Sequence, residues 1–209
     1  MKVLIFGASG STGRQLVDAA VGCRHTVTAF VRNPATFHND HGIDVVLGDV
    51  ADRHAVAQAM PGHAAVLCVL GAATPLRRDP TLVAGVRHMT EAMLDAGVRR
   101  LVYLSFLGVP AGRHQLSALG RYVVAPVLLR NIAADHAAKE EIIRRSGLDW
   151  TIVRPPRLTD GPETGAYRRG ESIHASQIVP RISRADVAHF MLTQLDDPTY
   201  LHRAPAVMP

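Results

Sequence analysis

Cysteine is scarce in this chain: only Cys23 and Cys68 occur among its 209 residues, and they do not form a Cys-x-x-Cys pair. A chain of this length buries about 70% of its unfolded surface, so it needs neither disulfides nor metals to fold. Cys68 lies within an apolar run, and we expect it to be a small core residue. We expect no metal site, because His38 and His41 lie in a polar loop without cysteine or carboxylate-rich neighbours.

Long apolar segments are missing as well. The longest uninterrupted apolar run, residues 64–70, is far shorter than the ~20 residues that span a bilayer. Lys2 and four apolar residues are followed directly by a glycine-rich stretch, so the sequence offers no signal-peptide core. We therefore expect a soluble cytoplasmic protein without a membrane partner.

Lysine is nearly absent, since Lys2 and Lys139 are the only lysines among 23 cationic side chains and the rest are arginines. The formal net charge of +5 favours anionic ligands. The arginines are scattered, and neither a basic stripe with interleaved aromatics nor a helix-turn-helix pattern accompanies them. Nucleic acid is therefore not an expected partner.

Apolar strand patterns alternate regularly with helix-period segments, which is typical of βαβ units and a parallel sheet. The predicted strands are residues 2–6, 25–31, 44–47, 64–70, 100–105 and 150–153. The predicted helices are residues 11–21, 53–60, 81–96, 133–145 and 183–195. We predict a single α/β domain over residues 1–209 with a doubly wound parallel sheet. Residues 155–182 and 197–209 are expected to contribute a small substrate lobe.

Residues 106–131 resist this assignment because glycine and proline interrupt an apolar stretch there. Two interpretations stay open: a broken helical flap that covers a pocket, and a segment that merely packs against the core.

A glycine-rich loop, Gly7-Ala8-Ser9-Gly10-Ser11-Thr12-Gly13, directly follows the first predicted strand and opens the first predicted helix. Gly7 permits the tight turn out of the strand, and Gly10 lets a pyrophosphate approach the backbone. Gly13 allows the helix to pack close to the sheet, and the helix N-terminus offers free N–H groups to an anion. Because the strand and the helix are both present, the loop predicts a dinucleotide-binding Rossmann fold.

The end of the second predicted strand indicates which dinucleotide binds. NAD-type folds carry an acidic residue there, whereas this chain has Arg32. A guanidinium group clasps a 2′-phosphate, so the sequence favours NADP(H) over NAD; an exposed strand-end arginine is the alternative. Asp49 and the Leu70-Gly71 turn follow the next two strands, at the edge where ligands bind. Asp49 either contacts adenine or caps its own turn.

Three stretches resemble the NAD(P)H-binding, NmrA-like branch of the atypical short-chain dehydrogenase/reductase superfamily. They are FGASGSTG at 6–13, VRNP with GDV at 31–34 and 48–50, and SGLDWTIVRPPRLTDGP with TGAY within 146–167. The last is similar to the biliverdin-IXβ reductase/NADPH flavin reductase type, and residues 182–192 resemble the closing helix of the branch. The cofactor-binding residues expected for NADP(H) are Gly7, Ser9, Gly10, Ser11, Thr12, Gly13, Arg32, Asp49, Val50, Leu70, Gly71, Leu104, His136 and Pro155.

The chemistry departs from the commonest members of that superfamily, which use a Tyr-x-x-x-Lys pair for acid catalysis. None of the four tyrosines here has a lysine four residues later, so alcohol, ketone and sugar-epimerase chemistry of that kind is not expected. The flavin reductase type lacks the pair, and its pocket has a serine and two histidines. This resemblance implies catalytic roles for Ser105, His136 and Arg157, and substrate contacts by Phe106, Pro156 and Arg157.

Each of these side chains also has a plainer interpretation. Phe106 stands where the serine is expected, one position after Ser105, and Arg157 replaces one of the histidines. Ser105 could bond strand-end backbone, and Arg157 could be a simple loop cation. His136 is either a helix-surface residue or an inward group, ionisable near neutral pH, that touches the nicotinamide ribose or gives a proton.

The sequence is compatible with two functions. The first is an NADPH-dependent reductase that passes hydride to a planar acceptor: a flavin (FMN or FAD, as substrate rather than resident cofactor), a tetrapyrrole or a quinone. The second is a non-catalytic NADP(H) sensor that acts through a protein partner at an apolar surface around residues 116–132. The sequence names neither the acceptor nor the oligomeric state.

Overall fold

The computed structural model describes residues 1–71, 78–122, 129–177 and 179–209. Six parallel strands form one sheet in the order β3-β2-β1-β4-β5-β6. The strands are β1 (Lys2–Phe6), β2 (Thr26–Val31), β3 (Asp44–Leu47), β4 (Ala65–Cys68), β5 (Arg100–Leu104) and β6 (Asp149–Val153). The helices are α1 (Ser11–Gly22), α2 (Arg53–Ala59), α3 (Pro80–Asp95), α4 (Arg130–Arg144) and α5 (Arg184–Thr193). The predicted doubly wound Rossmann fold is confirmed, because β2 and β3 are added on one side of β1 and β4 to β6 on the other.

Helices cover both faces of the sheet, which explains why its strands read as continuous apolar runs. Val3 and Ile5 of β1 pack on one face with α1 and α5. Leu4 and Phe6 pack on the other face with α2, α3 and α4. Cys68, at the end of β4, is fully buried in this second layer, as the sequence predicts.

The chain after β6 adds four short strands that the sequence analysis does not predict: β7 (Arg157–Thr159), β8 (Arg168–Gly170), β9 (Arg181–Ser183) and β10 (Ala206–Met208). β7 pairs with β9 in parallel, and β8 pairs with β10 in antiparallel orientation. Each strand has three residues and several carry arginine, so neither length nor apolar periodicity reveals them. All four begin within or next to the segments assigned to the substrate lobe, whose role stays a prediction.

The segment 106–131 is only partly covered, because residues 123–128 of the predicted flap lie outside the described residues. At one end of the segment, Leu107 is fully buried and packs with Ala206 and Met208. At the other end, α4 begins at Arg130, three residues before its predicted start. Packing thus explains the beginning of the segment, whereas Leu116, Gly120 and Leu129 line a cavity.

Helices long and apolar enough to cross a bilayer do not occur in the described ranges. The same residues contain no cluster of three or more His, Cys, Asp or Glu side chains that could hold a metal ion.

Candidate functional site

Two of the three loop glycines are required by the packing of the protein itself. Gly7 has a φ of +85°, in the left-handed region, and a Cβ there would lie 3.0 Å from the carbonyl group of Val69. A Cβ on Gly13 would lie only 2.0 Å from the carbonyl oxygen of Gly7. The turn out of β1 and the close approach of α1 therefore account for both positions.

Gly10 differs, because the surrounding protein does not demand a glycine there. Its backbone is extended (φ −74°, ψ 164°), and a Cβ would meet only the carbonyl oxygen of Gly7, at 3.4 Å. Gly10 precedes α1, whose first turn has no side-chain cap and no acidic residue. Gly10 therefore leaves open space at the uncapped N-terminus of α1, which suits an anion close to the backbone.

A cavity of about 330 Å³, the loop cavity, extends from this loop across the ends of β2 and β3. Its lining includes Gly7, Ser9, Gly10, Phe30, Arg32, Gly48, Asp49, Val50, Val69, Leu70, Gly71, Asp79 and Leu82. Eight of these are predicted cofactor contacts. Ser11, Thr12 and Gly13, which are also predicted cofactor contacts, do not line this cavity. Thr12 instead lines a second, larger cavity.

Arg32 and Asp49 face each other across the loop cavity. The Arg32 Nη1 atom lies 3.9 Å from the Asp49 Oδ2 atom, and the Arg32 side chain is 80% exposed. Asp49 also accepts a hydrogen bond from the Ala51 amide at 2.9 Å, so it does cap its own turn. The guanidinium group keeps most of its donors free for another anion, because a pair at this distance and exposure is weak.

A larger cavity of about 580 Å³, the apolar cavity, opens at the ends of β5 and β6. Its lining is mostly hydrophobic: Thr12, Val69, Leu70, Gly71, Leu104, Ser105, Phe106, Leu107, Leu116, Gly120, Leu129, Ile132, His136, Pro155, Pro156, Arg157, Leu158, Val179, Pro180 and Arg184. The structure therefore brings together every predicted catalytic and substrate-binding residue, together with Leu104 and Pro155. The two cavities share the three residues 69–71, which follow β4 beside Gly7.

His136 is an inward residue of α4 and not a surface histidine, being only 7% exposed. Burial, together with the nearby positive charge of Lys139, lowers its pKa from 6.5 to about 3. The expectation that His136 is ionisable near neutral pH is therefore wrong, and the imidazole is neutral there. Its Nδ1 atom is buried without a hydrogen-bond partner among the described residues, and its ring lies 6.2 Å from the Phe106 ring.

Ser105 does not bond strand-end backbone through its hydroxyl group. Its Oγ atom donates a hydrogen bond to the Glu140 Oε1 atom at 2.6 Å. Glu140 also receives two hydrogen bonds from the Arg154 guanidinium group, and all three side chains are buried. The hydroxyl group of Ser105 thus donates its hydrogen bond to a carboxylate that is already held by two bonds from Arg154.

The Glu140–Arg154 pair and buried Lys139 are not among the residues that the sequence predicts for the site. Glu140 and Lys139 follow His136 by four and three residues, so an inward His136 already predicts that both face the core. Lys139 is 2% exposed, and burial lowers the pKa of its ammonium group, against the opposing effect of Cys68 and two aspartates. The helical spacing of these two charged residues from His136 is thus a sequence signal that could have identified them.

The four tyrosines of the chain line neither cavity. Tyr103 is fully buried in β5, and burial raises the pKa of its phenol well above 10. Tyr122 is exposed, and Tyr167 is hydrogen-bonded to His189 at 2.8 Å. The sequence has no Tyr-x-x-x-Lys pair, and the structure places no tyrosine in either cavity that could act as an acid.

Comparisons with known proteins agree with this geometry. The protein family described as NAD(P)H-binding matches residues 7–198. An uncharacterized sugar epimerase, YhfK of Bacillus subtilis, is 29% identical and covers 98% of this chain and 92% of its own length. The 3-diazoavenalumate denitrifying reductase of a Streptomyces species is 32% identical, over 81% of this chain and 60% of its own length.

A solved structure with the same architecture is ChuY, an anaerobilin reductase from Escherichia coli O157:H7. Its TM-score is 0.79, with 22% sequence identity, and the match covers 99% of this chain and 96% of that one. At this level of identity the likeness establishes the fold.

Proposed function

The chain belongs to the NAD(P)H-binding family, and from that premise we propose that it is an NADPH-dependent reductase of a planar acceptor, with a flavin as the first candidate. The observation that carries this proposal is the junction of the two cavities at residues 69–71. A dinucleotide lying across the sheet would have its adenosine half in the loop cavity and its nicotinamide at the floor of the apolar cavity.

The residues of the loop cavity fit NADP(H). The N-terminus of α1 and the open side of Gly10 suit the pyrophosphate, and Arg32 suits the 2′-phosphate of NADP(H). Asp49, in contrast, would repel that phosphate unless Arg32 lies between them. These features support NADPH over NADH as the electron donor.

Bound NADPH would supply a hydride from C4 of its nicotinamide, and the acceptor would take up that hydride and a proton from solvent. The protein would hold the two rings in contact and exclude water from between them. Phe106, Leu116 and Ile132 offer apolar surface for an acceptor ring. Neutral His136 provides a flat polar ring that can accept or donate one hydrogen bond without adding charge.

The described lining of the apolar cavity offers no strong acid. His136 is neutral at physiological pH, and the Ser105 hydroxyl group donates its hydrogen bond to Glu140. This supports acceptors such as flavins or quinones, whose reduced forms persist as anions until solvent protonates them, over ketones that require an acid at the site. The names of the relatives suggest two different activities, since one is named an epimerase and another a reductase. The absence of a tyrosine from the cavities favours the reductase.

The proposal is tested by measuring NADPH oxidation by the purified protein with FMN as acceptor. We expect saturable, FMN-dependent oxidation, and an Arg32→Ala variant should raise the KM for NADPH without altering turnover at saturation. NADPH-dependent activity that is equally strong with NADH and insensitive to Arg32→Ala would contradict the cofactor assignment. Tight NADPH binding without any oxidation would contradict the reductase.

That last outcome would support a second candidate, an NADP(H)-responsive sensor. Leu119, Tyr122 and Val179 are large apolar side chains that are between 47% and 67% exposed. Val179 lines the apolar cavity, and Leu119 is the neighbour of Gly120, which also lines it. Such a rim suits a protein partner. Equal affinity for NADP+ and NADPH, with no acceptor reduced, would favour this function.

A further inference from the structure

The short strands β7 and β9 carry two like charges beside the mouth of the apolar cavity. Their parallel register pairs Arg157 with Arg181, so the two side chains leave the same face of the strand pair. The next pair, Leu158 and Ile182, points the other way and packs in the core with α1 and α5. Two arginine side chains of like charge therefore start from neighbouring positions on one exposed face.

No carboxylate of the protein compensates this pair. All 18 acidic side chains belong to the described residues, and none of them forms an ion pair with Arg157 or Arg181. Arg184, three residues after Arg181, shows the contrast, because it holds Asp160 at 2.6 Å. The positive charge of the strand pair is thus available to an external anion.

The position of this charge relates it to the acceptor. Arg157 lines the apolar cavity, whose described lining contains two cations and no acidic residue. The second cation, Arg184, is already occupied by Asp160. A ligand in the cavity would therefore meet hydrophobic walls along most of its length and uncompensated positive charge at one end.

We propose that Arg157 and Arg181 bind an acidic group of the acceptor, a phosphate ester or a carboxylate, while its rings occupy the apolar cavity. The identification of that ligand as the hydride acceptor rests on the proposed function, but the binding itself does not. A single Arg–anion contact at a partly exposed site changes affinity by about tenfold, and the pair together should exceed that.

The binding is tested first with two dyes that share one ring system. Anilinonaphthalene sulfonate carries an anionic group, and N-phenylnaphthylamine is its uncharged counterpart. Both are titrated by fluorescence against the wild-type protein saturated with NADP+, and against Arg157→Gln, Arg181→Gln and the double variant. Arg145→Gln is the matched control, because Arg145 loses the same charge at the far end of α4, where it pairs with Glu141. Thermal melting confirms that each variant is folded.

We expect the sulfonate to bind about tenfold or more tightly than the neutral dye, and the double variant, but not Arg145→Gln, to remove that preference. Equal affinities of the two dyes for the wild-type protein would overturn the proposal, as would a preference that survives the double substitution. Failure of both dyes to bind would also overturn it, because the cavity would then not admit a ring system.

The acidic group is then identified with two matched pairs of acceptors. FMN and riboflavin differ by a phosphate, and biliverdin and its dimethyl ester differ by two carboxylates. Binding is followed by fluorescence quenching, and reduction by NADPH oxidation. A preference for FMN assigns a phosphate, and a preference for free biliverdin assigns a carboxylate. Charge-dependent binding without NADPH oxidation would leave this inference standing and contradict the reductase, whereas oxidation of all four acceptors with equal KM would do the reverse.

Discussion

Replacing Gly10 by alanine should weaken NADPH binding and leave the fold intact, whereas Gly13→Ala should damage the fold. The new Cβ of Gly10→Ala meets only the Gly7 carbonyl oxygen, at 3.4 Å, in a backbone conformation that alanine adopts freely. Its folding cost is that of a poorer helix cap, about 1 kcal/mol at most. In Gly13→Ala the Cβ would lie 2.0 Å from the same oxygen, so backbone must move. Overpacking of this kind costs about 1–3 kcal/mol, and we expect the upper end.

These free energies translate into separable measurements. At roughly 2–4 °C per kcal/mol for a chain of this size, Gly13→Ala should lower the Tm by about 6–12 °C, and Gly10→Ala by no more than about 4 °C. In the proposed binding mode the new methyl group of Gly10→Ala would occupy the place of the pyrophosphate, so the Kd for NADPH should rise about tenfold or more. Thermal melting and titration of NADPH fluorescence supply both numbers. A Gly10→Ala protein that binds NADPH like the wild type would refute the assignment of this loop to the pyrophosphate.

Three further predictions follow from the same geometry. Arg32→Ala should raise the Kd for NADPH about tenfold and leave that for NADH unchanged, as measured by fluorescence titration; equal losses would contradict a 2′-phosphate contact. Arg154→Met should cost about 3 kcal/mol in urea unfolding, the lower end for a broken buried pair, since it removes both guanidinium hydrogen bonds from buried Glu140 and leaves Arg144, at 3.7 Å, as its remaining cation; a cost below about 1 kcal/mol would refute the buried pair. His136 has a folded-state pKa of about 3 against 6.5 unfolded, so the unfolded chain binds more protons between these values. Stability should therefore fall as the pH drops from 6.5 toward 3, and a His136→Gln variant should show a shallower decline across a pH series of urea melts.

The sequence predicts the architecture well because its strands and helices are long and strongly periodic. Each of the six sheet strands and five helices occurs within a few residues of its predicted bounds, as with α1, which ends at Gly22 one residue beyond the prediction. β7–β10 could not be predicted, since three-residue strands have too short a pattern and depend on distant partners. The pairing of Arg157 with Arg181 depends on such a distant partner, so no local sequence pattern predicts it.

The cavity residues could be named from the sequence, but their chemical states could not. Resemblance selects His136, yet its low pKa depends on burial and on Lys139, which become apparent only when α4 packs against the sheet. Ser105 likewise lines the cavity as predicted, while the acceptor of its hydroxyl hydrogen bond is Glu140, 35 residues away. Protonation is therefore the part of the site that sequence reasoning assigns least well.

The most direct test of the account is an anaerobic single-turnover reaction in which protein loaded with one equivalent of NADPH is mixed with FMN. We expect the absorbance of NADPH and that of oxidised flavin to disappear together, in equal amounts, and faster than in a mixture without protein. NADPH that stays bound and reduced while the flavin stays oxidised would contradict it.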